Sequence, residues 1–423
     1  MSLVKSPKDI VEEAEASGSA GLLSRHPSWG RVEIGMIATI QNGAPFASES
    51  FNTNRSGFPI IRIRDVGKNE ISTWFDGDYS DDFIVRRGDL LIGMDGDFRS
   101  SRWLGEPALL NQRVCRLIVS EARIMQAFIE FALPAYLDAI AAETSSITVK
   151  HLSSKSIQQI PLPLPPLAEQ ERIVEILEEQ FSRLDSALAS VKAVREKAKA
   201  FRRSLLHAAF SGELTGGTEG WKEMTLGEIS EKPQYGWTTS ASEIGKVKLL
   251  RTTDITRGAI DWLSVPFCLE VPKNLDLLRV ESGDLFISRT GAGVGSSALI
   301  TGLVPDSVFA SYLIRVRPKV GYNNRFIFSF FQSPSYWSQI AQISTGTAQP
   351  NVNATMLRTI SLPFPSPEIQ SKIVEILEEQ FSKLDEALEI ANQLEARIDS
   401  ERRSLLHAAF TGELTSQWRK THV

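Results

Sequence analysis

IVEILEEQFS occupies residues Ile173–Ser182 and recurs letter for letter at Ile373–Ser382. RRSLLHAAF at Arg202–Phe210 recurs at Arg402–Phe410 with the same displacement of 200 residues. Aligned without gaps, residues 167–215 and 367–415 share 28 of 49 positions, gathered toward the two ends. The middle, Ala189–Phe201 against Glu389–Glu401, shares none. A displacement this long is no solenoid period; it marks a duplicated domain. The divergent middle still keeps an apolar rhythm. Ala187, Val191, Val194, Ala198, Phe201, Leu205 and Ala208 alternate steps of four and three, and Ala387, Ala391, Leu394, Ile398 and Leu405 follow the same rule with Glu401 where Phe201 stands. That is the seam of a coiled coil. Proline clusters (PLPLPP at 161–166, PFPSP at 363–367) suit the helix starts, and Ser211-Gly212 and Thr411-Gly412 suit the stops. Two helices of about 44 residues are predicted, each roughly 66 Å long. Each needs a partner for its seam, and an antiparallel pairing with the other copy supplies one.

Working outward, the globular segments repeat more faintly. Trp29-Gly-Arg-Val-Glu-Ile-Gly parallels Trp221-Lys-Glu-Met-Thr-Leu-Gly, and Gly88-Asp89-Leu90 parallels Gly283-Asp284-Leu285. Ile61–Val66 parallels Leu250–Ile255, and both segments end on an Ile-x-Leu-Pro run beginning at Ile160 and Ile360. Short β-rich runs (FPIIRIRDV, GDLLIGM, RVCRLIV; VKLLRTTDI, GDLFISR, YLIRVRP) precede a helical stretch, Ile124–Ala142 in the first segment and Asn324–Ile343 in the second. The expected fold is α+β: two mixed α/β domains separated by two long helices in an antiparallel coiled coil, with a pseudo-two-fold internal repeat. The expected boundaries are a leader at 1–28, a first domain at 29–166, a spacer helix at 167–215, a second domain at 216–366, a second spacer at 367–415 and a tail at 416–423. The leader carries KDIVEEAEA, which can form a short helix; a mobile tail and a contact for a partner both stay open, with the tail favoured.

The 423 residues carry a formal net charge of −5. The charge is uneven: 14 Lys+Arg against 12 Asp+Glu over 216–366, but 7 against 11 over 367–423. Affinity for nucleic acid follows local basic faces rather than the total, yet this is not the strongly basic balance of a protein that grips DNA alone. The acidic N-terminus lacks the apolar core of a signal peptide, and no apolar run approaches a bilayer span. Cys115 and Cys268 lack metal-site spacing and read as buried thiols of a reducing cytoplasm.

Taken in order, the Trp-x₄-Leu/Ile-Gly opening, Gly-Asp-Leu with its apolar pair, Ile-x-Leu-Pro-x-Pro before AEQERIVEILEEQF, the closing R-SLLHAAF-GELT and terminal Trp418-Arg419 resemble the specificity subunits of type I restriction–modification systems. The resemblance runs from residue 29 to the end. It implies that each globular segment is a target recognition domain reading one half of a split site in double-stranded DNA. It implies that the helices space those domains and dock two methyltransferase subunits, with restriction subunits (an ATP-dependent translocase and nuclease) joining them. It also implies a chain that is not itself an enzyme and holds no cofactor, with S-adenosylmethionine and ATP with magnesium belonging to the partners.

Residue types that hydrogen-bond base edges are Arg, Lys, Asn, Gln, Ser and Thr. The candidates for DNA contact are Asn42, Arg62, Arg64, Lys68, Arg99, Arg102 and His151 in the first half. Tyr235, Trp237, Arg251, Thr253, Arg257, Arg289, Thr290 and Asn351 are those in the second. Candidate docking residues come from the repeated helix ends: Ile173, Glu178, Phe181, Arg202, Arg203, His207 and Phe210, then Ile373, Glu378, Phe381, Arg402, Arg403, His407 and Phe410. The glycines of SRTGAGVGSS at 288–297 match neither a nucleotide-triphosphate loop nor a dinucleotide fingerprint. No amino-methyltransferase, helicase or nuclease signature stands in the chain, and no metal site is expected. Two other readings stay open at this stage: a stand-alone fused DNA methyltransferase/endonuclease, and a coiled-coil scaffold with no DNA role.

Overall fold

The structure is a computed structural model that describes residues 5–68, 70–143, 151–255, 260–344 and 350–422. Two compact units form. Unit 1 holds Met1–Ser190 with Leu394–Val423, and unit 2 holds Val191–Gln393. Both divisions fall inside the long helices, so each unit owns one end of each helix.

Unit 1 opens with helix α1 (Pro7–Ala16) and strand β1 (Gly30–Glu33). Ser6 caps α1, with Asp9 returning the bond to close a capping box, and Ile10 and Val11 are buried in the main core. The leader is therefore a packed element of unit 1 over these residues, not the mobile tail expected from its acidity. The domain's main sheet has four strands: β2 (Ala38–Asn42), β3 (Leu90–Gly93), β4 (Ser100–Arg102) and β5 (Val114–Val119), in the order β2-β5-β3-β4. Helix α2 (Gln126–Glu143) packs on it through Phe128, Ile129, Ala132 and Leu133, all fully buried. A second sheet gathers Phe51–Asn52, Phe58–Ile61, Trp74–Phe75, Ile84–Val85 and Ala108–Leu110. The proline run before the long helix is itself a strand, β6 (Pro161–Leu164), antiparallel to β1 in a two-stranded sheet. Proline is tolerated there because an edge strand need not donate on both sides. It leads into α3 (Leu167–Phe210), 44 residues long.

Unit 2 repeats the plan: β7 (Lys222–Thr225), then β8 (Gln234–Tyr235), β9 (Leu285–Ser288), β10 (Ser297–Leu299) and β11 (Leu313–Val316), sheet order β8-β11-β9-β10. The single helix expected over Asn324–Ile343 is two, α4 (Asn324–Phe331) and α5 (Pro334–Ile343). Ser333 breaks it: fully buried, it caps α5 through the Tyr336 amide, and Pro334 takes the first turn, where its missing N–H costs nothing. Strand β12 (Ser361–Phe364) pairs with β7, then come α6 (Pro367–Phe410), again 44 residues, and α7 (Ser416–His422).

The two domains share their internal fastenings. In each, an arginine of the main sheet reaches the first strand and the aspartate just before the next one. Arg116 reaches Asp89 at 2.9 Å and Gln41 at 3.1 Å, and Arg315 reaches Asp284 at 3.3 Å and also Gln234. Burial pulls the Arg315 guanidinium below its usual value, against the opposing pull of Asp284. Gln126 and Asn324 donate to the carbonyls of Gly88 and Gly283, both at 2.7 Å. At Gly43 and Gly236 a Cβ would lie 2.2 and 2.1 Å from the Asn111 and Phe309 carbonyl oxygens, so only glycine lets the strand pass.

Within each unit the helices run antiparallel. In unit 1 Arg402 meets the Asp185 carboxylate and lies 5.2 Å over the Phe181 ring. In unit 2 Arg202 meets Asp385 at 3.0 Å and lies 4.3 Å over Phe381. The seam is not quite the one read from the apolar rhythm. Val191, Ala198, Ala391 and Ile398 are buried, but Val194, Phe201 and Leu394 are 42, 48 and 43% exposed. Arg195, Arg202, Glu395 and Arg402 occupy those layers, half-covered or paired. Arginine stems cover apolar surface while their heads reach acceptors on the facing helix, so a polar residue serves a seam position that pattern alone assigns to its apolar neighbour.

Both cysteines are buried free thiols, and burial pushes Cys115 up to about 12. Among the described residues no helix is long and apolar enough to cross a membrane, and no group of three or more His, Cys, Asp or Glu side chains could hold a metal ion.

Candidate nucleic-acid interface

Strand direction brings one set of side chains to one end of each main sheet. In unit 1, β2 and β3 finish where β4 and β5 begin, because both pairings are antiparallel. Asn42, Met94, Asp95, Arg99 and Arg113 therefore stand together. The segment before β6 joins them: His151 forms a single bridge with Asp95, and the Leu152 amide donates to Met94 at 2.7 Å. His151 Nδ1 lies 2.6 Å from one Asp95 oxygen, Arg113 Nη1 donates to the other at 2.6 Å, and Ser154 donates to the Asn42 side chain at 2.6 Å.

Unit 2 builds the same end with other side chains. Thr290 forms the bridge with Asn351, and the Val352 amide donates to Arg289 at 2.9 Å. The Met94 and Arg289 amides donate to Arg113 and Tyr312, both at 3.0 Å. The pairs Asn42/Tyr235, Met94/Arg289, Asp95/Thr290, Arg113/Tyr312 and His151/Asn351 therefore occupy matching places. The Tyr235 hydroxyl accepts from the Ala354 amide at 3.0 Å, and the Arg289 guanidinium lies 5.0 Å over the Tyr235 ring. Among the described residues, buried Arg289 Nε has no hydrogen-bond partner.

The remaining candidates divide. Lys68 and Arg99, with Gly67, Ser100, Ser101 and Asp138, line a cleft of about 240 Å³, and Arg99 pairs only loosely with Asp97 at 3.4 Å. Arg62 and Arg251 both anchor a turn by backbone bonds to Asp65 and Asp254, at 2.9 and 2.8 Å. Arg62 lays its guanidinium over Phe51, and Arg64 donates to Thr73 at 2.9 Å with its side chain half-exposed. Arg251 turns its guanidinium back on Asp254 through two further bonds, and that bonding holds its pKa above the usual value. It holds its own turn rather than reaching outward; Thr253 beside it is exposed. Trp237 donates to the Glu270 carbonyl at 3.0 Å and packs on a core cluster, which makes it a strut. Arg257 lies outside the described residues.

Arg102 is corrected. It stands at the far end of β4, opposite Leu90, and grips both Glu130 oxygens at 2.7 and 3.0 Å. It fastens sheet to helix α2, away from the polar end. Sequence reasoning missed Asp95, Arg113 and Tyr312. Asp95 falls in the same column as Thr290 once GDLLIGMD is set over GDLFISRT, and RVCRLIV over YLIRVRP pairs Arg113 with Tyr312.

The helix ends also divide. Ile173, Ile373 and Phe410 are buried in their own unit's core, and Phe210 lies against Phe326 and Phe330. These four hold domain to helix and offer a partner nothing, contrary to the docking role expected of them. Glu178, Arg203, His207, Glu378, Arg403 and His407 are exposed. In unit 2, Arg202, Arg203, Lys199, Leu206, Trp337 and Phe381 line a cleft of about 580 Å³. Arg202 there is held by Asp385, Lys199 by Glu196, and nearby Arg325 by Glu378. In unit 1, Phe131, three residues after Phe128, packs edge-on against Phe181 at 5.5 Å; in unit 2, Ser329, three after Phe326, lines a cleft together with Phe381.

Two copies of one α/β unit, alike in their fastenings and unlike at one polar sheet end, define a duplicated recognition protein. A family model described as the type I restriction modification DNA specificity domain matches residues 27–191 and 218–399. The chain belongs to that family. It is 35% identical to the type I restriction enzyme EcoBI specificity subunit of Escherichia coli over 99% of this chain and 92% of the relative. It is 26% identical to the EcoKI specificity subunit of Escherichia coli K12 over 72% of this chain and 69% of that one. A solved structure concerning complex assembly and conformational transition of the type I R-M system shares the fold, with a TM-score of 0.70 at 16% identity, covering 92% of this chain and 99% of its own.

Proposed function

We propose that this chain is the sequence-reading subunit of a type I restriction–modification complex. Each unit reads one half of an asymmetric bipartite DNA site with the polar end of its main sheet. One observation carries the reading: matching positions at that end hold different hydrogen-bonding side chains, while the helix ends stay identical. Different half-sites demand the first, and one partner bound twice demands the second. Two helices of 44 residues each accompany the two recognition segments, and on this reading they set an unread gap of one length.

The exposed helix-end residues dock two methyltransferase subunits, and restriction subunits join that core. S-adenosylmethionine and ATP with magnesium are bound by those partners, which methylate adenine N6 and cleave DNA, in the prokaryotic cytoplasm. The target adenine must leave the stack for the methyl group to reach it, so the DNA is distorted in the complex. A modest acidic net charge fits a subunit whose partners complete the grip on the phosphates.

Exchange of residues 29–160 for the corresponding domain of another member of the family tests the reading. The methylated motif should change in one half and keep the other half and a single gap. A change in both halves, or in neither, would contradict it.

A further inference from the structure

Asp95, Arg113 and His151 form a polar chain at the sheet end of unit 1, and unit 2 has no like group at the same three places. Asp95 is the hub, its side chain 23% exposed, with one oxygen on each neighbour. Both neighbours are more open, at 55% for Arg113 and 43% for His151. Each Asp95 oxygen already accepts one bond, so the carboxylate is first of all a holder of its two neighbours. What it does is hold a guanidinium by one nitrogen. Among the described residues Nε and Nη2 of Arg113 have no protein partner, and more than half of the side chain is exposed. A planar guanidinium with two donors to give matches the paired acceptors O6 and N7 that guanine alone shows in the major groove. Thr290, Asn351 and Tyr312 occupy the matching places in unit 2, and none can make that forked donation.

We infer that Arg113, positioned by Asp95, reads a guanine in the half-site of unit 1, and that the half-site of unit 2 is not read by a guanidinium at the matching place. This rests on the sheet end being the DNA face.

The experiment uses the full chain assembled with its methyltransferase subunits and maps methylation in cells for the wild type, Arg113→Ala, Arg113→Lys and Asp95→Asn. The wild-type motif should contain guanine in the half that changes when residues 29–160 are exchanged. Arg113→Ala should lower discrimination at that one position by roughly tenfold to a hundredfold. Arg113→Lys should fail to restore it, because an ammonium lacks the planar fork. Asp95→Asn should blur the same position less. The half read by unit 2 should persist in every variant, which reports a folded, assembled chain. A half-site of unit 1 without guanine overturns the inference. So does an Arg113→Ala map with an unchanged motif, or one weakened evenly at all sites as a phosphate contact would be. In those cases the bipartite motif of the wild type still stands; a wild type with no bipartite motif overturns the reading beneath it as well.

Discussion

At the scale of single residues, Arg102 and Arg99 show how far one sequence can be read. Both are arginines on or beside the same short strand, and both looked like DNA contacts. Only the fold sets Arg102 against Glu130, 28 positions away, and no local pattern announces that pairing. Arg102→Ala should therefore cost about 1 kcal/mol of stability in a thermal melt, since the pair is partly exposed, and leave the methylated motif unchanged. A shift in the motif would return Arg102 to the interface. Another residue-scale prediction concerns pH. His26 lies 3.1 Å from Arg419, and burial, then the Arg419 charge, hold its pKa below the usual 6.5. The unfolded chain then binds that proton more readily than the folded one, so stability falls as pH drops below about 6.5 toward the folded value and is fully present above it. His26→Asn should flatten that part of the pH–stability profile measured by chemical unfolding; a profile as steep as the wild type's would show that His26 is not its source.

At the scale of elements, the long helices, their proline starts and their glycine stops were legible because they depend on local chemistry. The layers of the seam were less so. Choosing between Val194 and Arg195, or Phe201 and Arg202, requires knowing which acceptors face them, and these lie on the other helix: Asn392 and Asp385. Phe201→Lys should change stability by no more than about 0.5 kcal/mol, as at other open surface positions. Val191→Asp should cost about 3 kcal/mol by placing an unpaired carboxylate in a buried layer. Equal losses in denaturant unfolding would restore the apolar rhythm as the true seam. The leader was misread for a similar reason: its acidic face dominates composition, while Ile10 and Val11 find a core supplied by other elements. Helix α7 docks by a device with no twin in unit 2. Glu169, 1% exposed, accepts from Thr415 at 2.7 Å, from Arg419 at 2.6 Å and from the Trp29 indole at 3.1 Å. Ile369 holds the corresponding place in α6, and among the described residues the buried Trp221 indole nitrogen has no hydrogen-bond partner. Arg419→Ala leaves a buried carboxylate short of its cation and should destabilise unit 1 by about 3 kcal/mol, read as an early transition on heating.

At the scale of the whole molecule, the repeat carries the meaning. Duplication was plain from IVEILEEQFS and RRSLLHAAF, and it fixed the number of domains before any strand was placed. What the repeat left dark was the polar sheet end, assembled from four stretches of chain around Asn42, Asp95, Arg113 and His151. Each stretch is short and unremarkable alone, and strand order alone makes them neighbours. The most direct measurement is a genome-wide map of methylated adenines in cells carrying this chain with its methyltransferase partners. One asymmetric motif in two parts, separated by an unread gap of constant length, is the predicted result. A single uninterrupted palindrome, a gap that varies, or methylation without sequence preference would contradict the account.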